Sequence, residues 1–132
     1  MTTPTETVTS PFEQLGGQAV VDRLVTRFYD LMETLPEAAG ILALHDDMPR
    51  ARERLRLFLT GWTGGPPLYE NQFGHPRLRG RHLPFAIGEK ERDAWLLCMD
   101  RALREVAGEG PVTESLMRAF VRLAHHMINQ PG

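Results

Sequence analysis

The chain has 132 residues, 42% hydrophobic and 24% charged, which suffices for one domain that buries a core without staples. A formal net charge of −2 argues against a general nucleic-acid binder, and no apolar run reaches the roughly 18 residues a membrane span needs. The single cysteine, Cys98, excludes an internal disulfide, and MTTPTETVTS at the N-terminus has neither the basic segment nor the apolar core of a secretory signal, so a reducing cytoplasm is the expected location.

In chain order, residues 1–9 are polar and expected to form a disordered tail. Ser10-Pro11-Phe12-Glu13 reads as a capping box with proline at the first helical position, and Gly16-Gly17 ends that helix almost at once. Val20, Val21, Leu24, Val25, Phe28, Leu31 and Met32 recur at helical spacing and predict a second helix that runs up to Pro36. A loop around 40–49 holds His45, Asp46 and Asp47. Over 50–62, Ala51, Leu55, Phe58, Leu59 and Trp62 form another apolar stripe, which Gly64-Gly65-Pro66-Pro67 breaks. Arg50, Arg52, Arg54 and Arg56 alternate along it; on a helix they spread around the outside and read as a solvated face.

The most regular helix is predicted over 90–106, with Trp95, Cys98, Met99, Ala102, Leu103 and Val106 on one face. The last begins near Thr113 and turns Leu116, Met117, Phe120, Val121, Ala124, Met127 and Ile128 inward. No strand alternation or internal repeat is visible, so the class is all-α, with four substantial helices plus short pieces.

Residues 64–88 do not fit a simple helix bundle, whose connections take a handful of residues. The segment is rich in Pro and Gly yet carries Leu68, Tyr69, Phe73, Leu78, Leu83, Phe85 and Ile87, too many apolar groups for a free linker. It is expected to pack over something, and a prosthetic group is a good candidate. Within it, GHPRLRGRHLPF at 74–85 holds two histidines. His82 follows Leu78 by one turn and precedes Phe85, so its ring can project from a short helical turn into apolar space. Pro84 has no N–H, which frees the carbonyl of Gly80; that carbonyl or Leu78's can accept from one imidazole nitrogen and leave the other to bind a metal. Arg77, Arg79 and Arg81 around it suit either anionic groups on a cofactor edge or plain solvent. His75, before Pro76, favours an extended conformation and reads as a loop residue. His125 and His126 are adjacent on one helix and diverge by about 100°, so they cannot clip one metal. No zinc, calcium or nucleotide-phosphate motif is present, and Cys98, on the inward face of its helix, reads as packing.

Arg27-Phe28-Tyr29, ERLRLFL at 53–59, GWTGGPPLY at 61–69, GHPRLRGRHLPF at 74–85 and ERDAWLLCM at 91–99, in this order, resemble the group II truncated haemoglobins over about residues 12–129. The resemblance implies a shortened globin, a two-over-two helical sandwich around a haem, as a single domain over 10–129 with short tails at 1–9 and 130–132. It implies that His82 is the proximal ligand of the haem iron, and without a CxxCH sequence the haem is b-type, iron protoporphyrin IX. It places Arg81 and Tyr69 at the propionates, with Leu78 and Phe85 beside the ring. Leu55 and Phe58 fall on the roofing helix, with Ala51 one turn earlier, where a small residue leaves room for a ligand to pass. Tyr29 and Trp95 match distal groups that stabilise an iron-held ligand, and His45 is the best match to a third distal donor in a loop of variable length, where a shift of one residue would substitute Leu44 or Asp46.

The expected function is reversible binding of dioxygen and other diatomic ligands, nitric oxide and carbon monoxide, by a monomer or homodimer. Two donors aimed at an iron-held ligand slow its release, which suits chemistry better than delivery, so nitric-oxide dioxygenation or peroxide reduction with a separate reductase is expected beside it. The alternative from another class is a haem-free helical interaction or sensor module whose apolar pocket docks a partner or lipid.

Overall fold

The computed structural model of the chain describes residues 9–130. The expected tails at 1–9 and 130–132 therefore lie, apart from residues 9 and 130, outside the described residues. Eight α-helices follow one another: α1 (Pro11–Leu15), α2 (Gln18–Thr34), α3 (Ala39–Leu42), α4 (Met48–Trp62), α5 (Leu68–Phe73), α6 (Leu78–His82), α7 (Glu89–Ala107) and α8 (Pro111–His126). A 3₁₀ turn at Pro36–Ala38 leads into α3, and the described residues contain no strand. The chain is all-α, as its periodicity predicts.

Local signals set most boundaries. Ser10 caps α1 through its hydroxyl, which accepts from the Glu13 N–H, while the Glu13 carboxylate accepts from the Ser10 N–H. Asp47 caps α4 by accepting from the Arg50 N–H, with Pro49 just inside the helix. This cap moves the start of α4 ahead of the predicted position 50, and α3 occupies part of the predicted 40–49 loop. Pro111 likewise opens α8 two residues before Thr113. At Gly65 a Cβ would sit 2.8 Å from the Thr60 carbonyl oxygen and 2.7 Å from the Phe12 ring, so only glycine lets the chain double back under α1.

Packing is centred on α2, which lies against α7 and α4; α7 in turn lies against α8, and α4 against α5. Phe28, Phe120, Leu24, Met32, Met99 and Leu103 are fully buried at the heart of this arrangement. Each such side chain stabilises the fold by about 1.5–3 kcal/mol. The inward face expected of α8 holds except at Val121, which is 46% exposed. Its position on the helix turns it one step past the Phe120–Ala124 face. The alternating arginines of α4 do more than meet water. Arg52 donates to Asp30 at 3.0 Å and Glu33 at 3.4 Å on α2, Arg56 lies 3.9 Å from Asp22, and Arg54 covers the Phe73 ring at 4.2 Å.

α4 and α8 meet where the rings of Trp62 and Phe120 lie 4.7 Å apart, centroid to centroid. Elsewhere the two helices stand apart, and 64–88 runs past the gap. Tyr69 and Ile87 of that segment are buried, whereas Phe73, Leu83 and Phe85 are exposed, so it covers the gap only in part.

Candidate functional site

Two adjoining cavities of about 270 and 520 Å³ open in this gap, sharing walls at Phe58 of α4, Leu78 of α6, and Leu123 and Met127 at the α8 end. Each approaches or falls within the size range of a small-molecule site. The smaller is lined by Tyr29, His45, Leu55, His82, Phe85 and Trp95 among others, and the larger by Trp62, Tyr69, His75 and Arg79 among others. Thus Tyr29, His45, Leu55, Phe58, Leu78, His82, Phe85 and Trp95, all singled out from sequence, surround one cavity. Tyr69 lines only the larger one. Arg81 lines neither; its Nε donates to the Pro76 carbonyl at 2.8 Å and its guanidinium lies 5.9 Å from the Tyr69 ring.

α6 offers His82 from a single turn. The ring nitrogen Nδ1 stands 2.6 Å from the Leu78 carbonyl oxygen. A carbonyl can only accept, so Nδ1 carries the proton and the neutral ring keeps its lone pair on Nε2. Of the two carbonyls open to it in the sequence, the histidine takes Leu78's; Gly80's accepts from the Leu83 N–H at 3.3 Å. His75 does shape the loop: its Nδ1 accepts from the Arg77 N–H at 3.0 Å.

Across the smaller cavity, Tyr29 is 5% exposed, and its hydroxyl donates weakly to the Ala51 carbonyl at 3.4 Å. Burial pushes the phenol well above its ordinary pKa, outweighing the opposing charge of Arg52, so it remains a donor at any physiological pH. Phe28 holds Tyr29 edge-on at 4.9 Å and Trp95 at 5.2 Å, and Phe120 supports Trp95 from behind at 5.7 Å. Trp95 lines the same cavity, and its indole N–H makes no hydrogen bond to a described residue. His45 places Nδ1 2.8 Å from the Ile41 carbonyl, so its neutral ring also keeps the lone pair on Nε2 and becomes a second donor only when protonated. Cys98 is fully buried, which raises its thiol pKa and makes it packing.

These residues suit a flat, largely apolar group that brings its own metal. Among the described residues no group of three His, Cys, Asp or Glu side chains could hold an ion by itself. A lone imidazole lone pair in an apolar slot therefore fits a metal whose other ligands belong to an organic ring, as in haem. Residues that sequence reasoning did not assign to the site include Trp62, Ile41, Leu123 and Met127. Trp62, Met127 and the α8 stripe were visible as apolar periodicity, but periodicity cannot distinguish a face turned to a core from one turned to a cavity.

Comparison with known proteins gives a consistent result. The family model for the bacterial-like globins matches residues 10–129. A group 2 truncated hemoglobin of Bacillus subtilis is 39% identical over 121 residues, 92% of this chain and 89% of that protein. Among solved structures, the group II 2-on-2 hemoglobin from the plant pathogen Agrobacterium tumefaciens is 43% identical with a TM-score of 0.92, covering 97% of this chain and all of that one. The cold-adapted truncated hemoglobin from the Antarctic marine bacterium Pseudoalteromonas haloplanktis is 40% identical with a TM-score of 0.90, over 93% of this chain and all of that one.

Proposed function

The chain belongs to the bacterial-like globin family, among its group II truncated haemoglobins, with the two-over-two fold and haem b as cofactor, and from that premise we propose that it binds dioxygen, nitric oxide and carbon monoxide at a haem iron held by His82. The observation that carries this reading is the His82 ring, locked by its Nδ1 proton to Leu78 and left with a free Nε2 lone pair in a cavity shared with Tyr29 and Trp95. Haem b, when bound, would supply the iron that takes a diatomic gas. Tyr29 and Trp95, which line the same cavity, would offer an O–H and an N–H to a ligand on that iron. Leu55, Phe58, Leu78 and Phe85 hold the ring plane by apolar contact. Tyr69 and Arg81 stand as propionate partners at the outer rim; Arg81 has a guanidinium beyond its Pro76 bond to offer. His45 joins the distal donors in its protonated form.

The test is His82→Ala, loaded with haem and compared with wild type by absorption and resonance Raman spectroscopy. Loss of the iron–histidine stretching band is the expected result; an unchanged band overturns the assignment. Membership of the globin family leaves a haem-free interaction module without support.

A redox role follows from the same donors, because a slowly released ligand stays to react. We infer that the protein detoxifies nitric oxide, which combines with dioxygen and one electron to give nitrate, or reduces peroxide to water with two electrons and two protons. In either case a separate reductase returns the electrons. Rapid mixing of the oxygen-equilibrated ferrous protein with nitric oxide is expected to yield nitrate stoichiometrically within the mixing time; no nitrate would overturn the nitric-oxide arm.

A further inference from the structure

α6 carries His82, yet none of its five residues is buried, and one helical turn is not stable by itself. Its position has to be fixed from outside, and the segment that follows α8 does so. The Asn129 carboxamide donates through Nδ2 to the carbonyl oxygens of His82 at 3.2 Å and Phe85 at 2.9 Å. Its Oδ1 accepts from the Ile87 N–H at 2.9 Å. The backbone N–H groups of Asn129 and Gln130 donate to the Ile87 carbonyl at 2.8 and 3.1 Å. From the other side, Arg79 of α6 donates through Nη1 to the carbonyls of His126 at 2.7 Å and Ile128 at 2.9 Å, which the end of α8 leaves without helical partners.

We propose that Asn129 is a positioning residue for His82, its side-chain amide fixing the backbone of the iron-binding histidine from the C-terminal segment. The proposal rests on the reading of His82 as the axial ligand. Two restraints then set the imidazole: the Nδ1–H bond to Leu78 aims the ring, and the Asn129 bond to the His82 carbonyl, shared with the Phe85 N–H at 3.0 Å, anchors the backbone from which it projects. Asparagine is the residue type this geometry needs. The amide spends both kinds of capacity at once, donating to two carbonyls and accepting from the Ile87 N–H and from the Gln130 side-chain amide at 3.2 Å. Aspartate has the same shape but no donor, and it sets a negative charge against two carbonyl oxygens. Such outer partners orient a metal ligand and govern how tightly the metal group is held.

The discriminating variant is Asn129→Asp, which keeps the acceptor for Ile87 and both backbone bonds, removes the donors to His82 and Phe85, and turns a negative charge on those two carbonyls. The haem-loaded protein is compared with wild type, Asn129→Ala and His82→Ala, with circular dichroism to verify helix content. The iron–histidine stretching band is expected to shift or broaden in both Asn129 variants, and haem transfer to a scavenging apoglobin to quicken about tenfold. If Asn129→Asp matches wild type in band and transfer rate, while His82→Ala loses the band, the amide serves only the 83–88 loop and the proposal falls alone. If the band survives in His82→Ala, the ligand assignment falls and this proposal with it.

Discussion

The phenolic oxygen of Tyr29 stands 3.4 Å from the carbonyl oxygen of Ala51, at the outer limit of a hydrogen bond. A donor held this loosely can turn to a stronger acceptor in the cavity at small cost. Hydrogen bonds to charged groups contribute about 1.5–3 kcal/mol, so Tyr29→Phe in the haem-loaded protein is expected to speed oxygen release about ten- to a hundredfold. Stopped-flow displacement of oxygen by carbon monoxide measures it; an unchanged rate removes Tyr29 from the donor set. Folding stability should fall by about 1 kcal/mol or less, since the bond to Ala51 is weak.

The same residue gives a pH dependence with a definite sign. Burial raises the Tyr29 pKa above its ordinary 10.0, so the unfolded chain releases that proton at lower pH than the folded one. Stability from this source is complete below about pH 10 and declines as the pH rises beyond it. Urea titrations between pH 8 and 11 should show a shallower alkaline decline in Tyr29→Phe than in wild type. Parallel declines would mean that the buried phenol is not the group responsible.

Trp95→Phe keeps a ring between Phe28 and Phe120 while deleting the unanswered N–H. Oxygen release is expected to quicken about tenfold, and the effect should not add to that of Tyr29→Phe, because both donors address one ligand. Strict additivity in the double mutant would place them on separate ligands or separate states.

Phe120 touches both tryptophans of the site, at 4.7 Å from Trp62 and 5.7 Å from Trp95. Phe120→Leu nearly preserves volume but loses the aromatic pairing, at a cost of about 1 kcal/mol in urea unfolding. Release kinetics should shift as well, since Trp95 loses its support. A variant less stable than wild type with wild-type kinetics would show that Trp95 is held from the Phe28 side alone.

At acid pH paired carboxylates matter instead, Glu114 among them. A hydrogen bond from Arg104 holds the Glu114 carboxyl below its ordinary range, and Asp100 and Glu109 share the same arginine. Stability from this link is present above the ordinary carboxylate pKa and is lost as pH falls through the lowered one. Arg104→Ala should therefore lose stability at neutral pH but not in acid strong enough to protonate Glu114 in the folded chain, and salt should narrow the difference. A gap that persists in strong acid would assign the effect to packing of the arginine stem.

The helices α2, α4, α7 and α8 were legible because each has a long apolar face interrupted by glycine or proline. α5 was not, since six residues give no periodicity, and α3 disappeared into what read as a polar loop. Of the site, His82 could be argued from residues alone, through its flanking apolar positions and a carbonyl within one turn; that carbonyl is Leu78's, so the missing N–H of Pro84 is not what frees it. Tyr29 and Trp95 could not: their spacing by itself favours core filling, and only the ordered motifs of a globin reverse that. Asn129 carried no signal at all, because its role depends on a fold that brings 82–87 against a segment more than forty residues away.

A one-turn helix that buries none of its residues is held from outside, by Asn129 and by the bonds of Arg79 to the carbonyls at the end of α8. The remainder of the core, built on α2, α7 and their neighbours, does not depend on it, and this separation sets an order of assembly. The apoprotein would keep a folded chassis with a floor pinned by a handful of hydrogen bonds, the part that opens most readily and without disturbing Phe28 or Phe120. Loading then becomes the last step of folding, and the rate of cofactor loss reports how often that floor swings open.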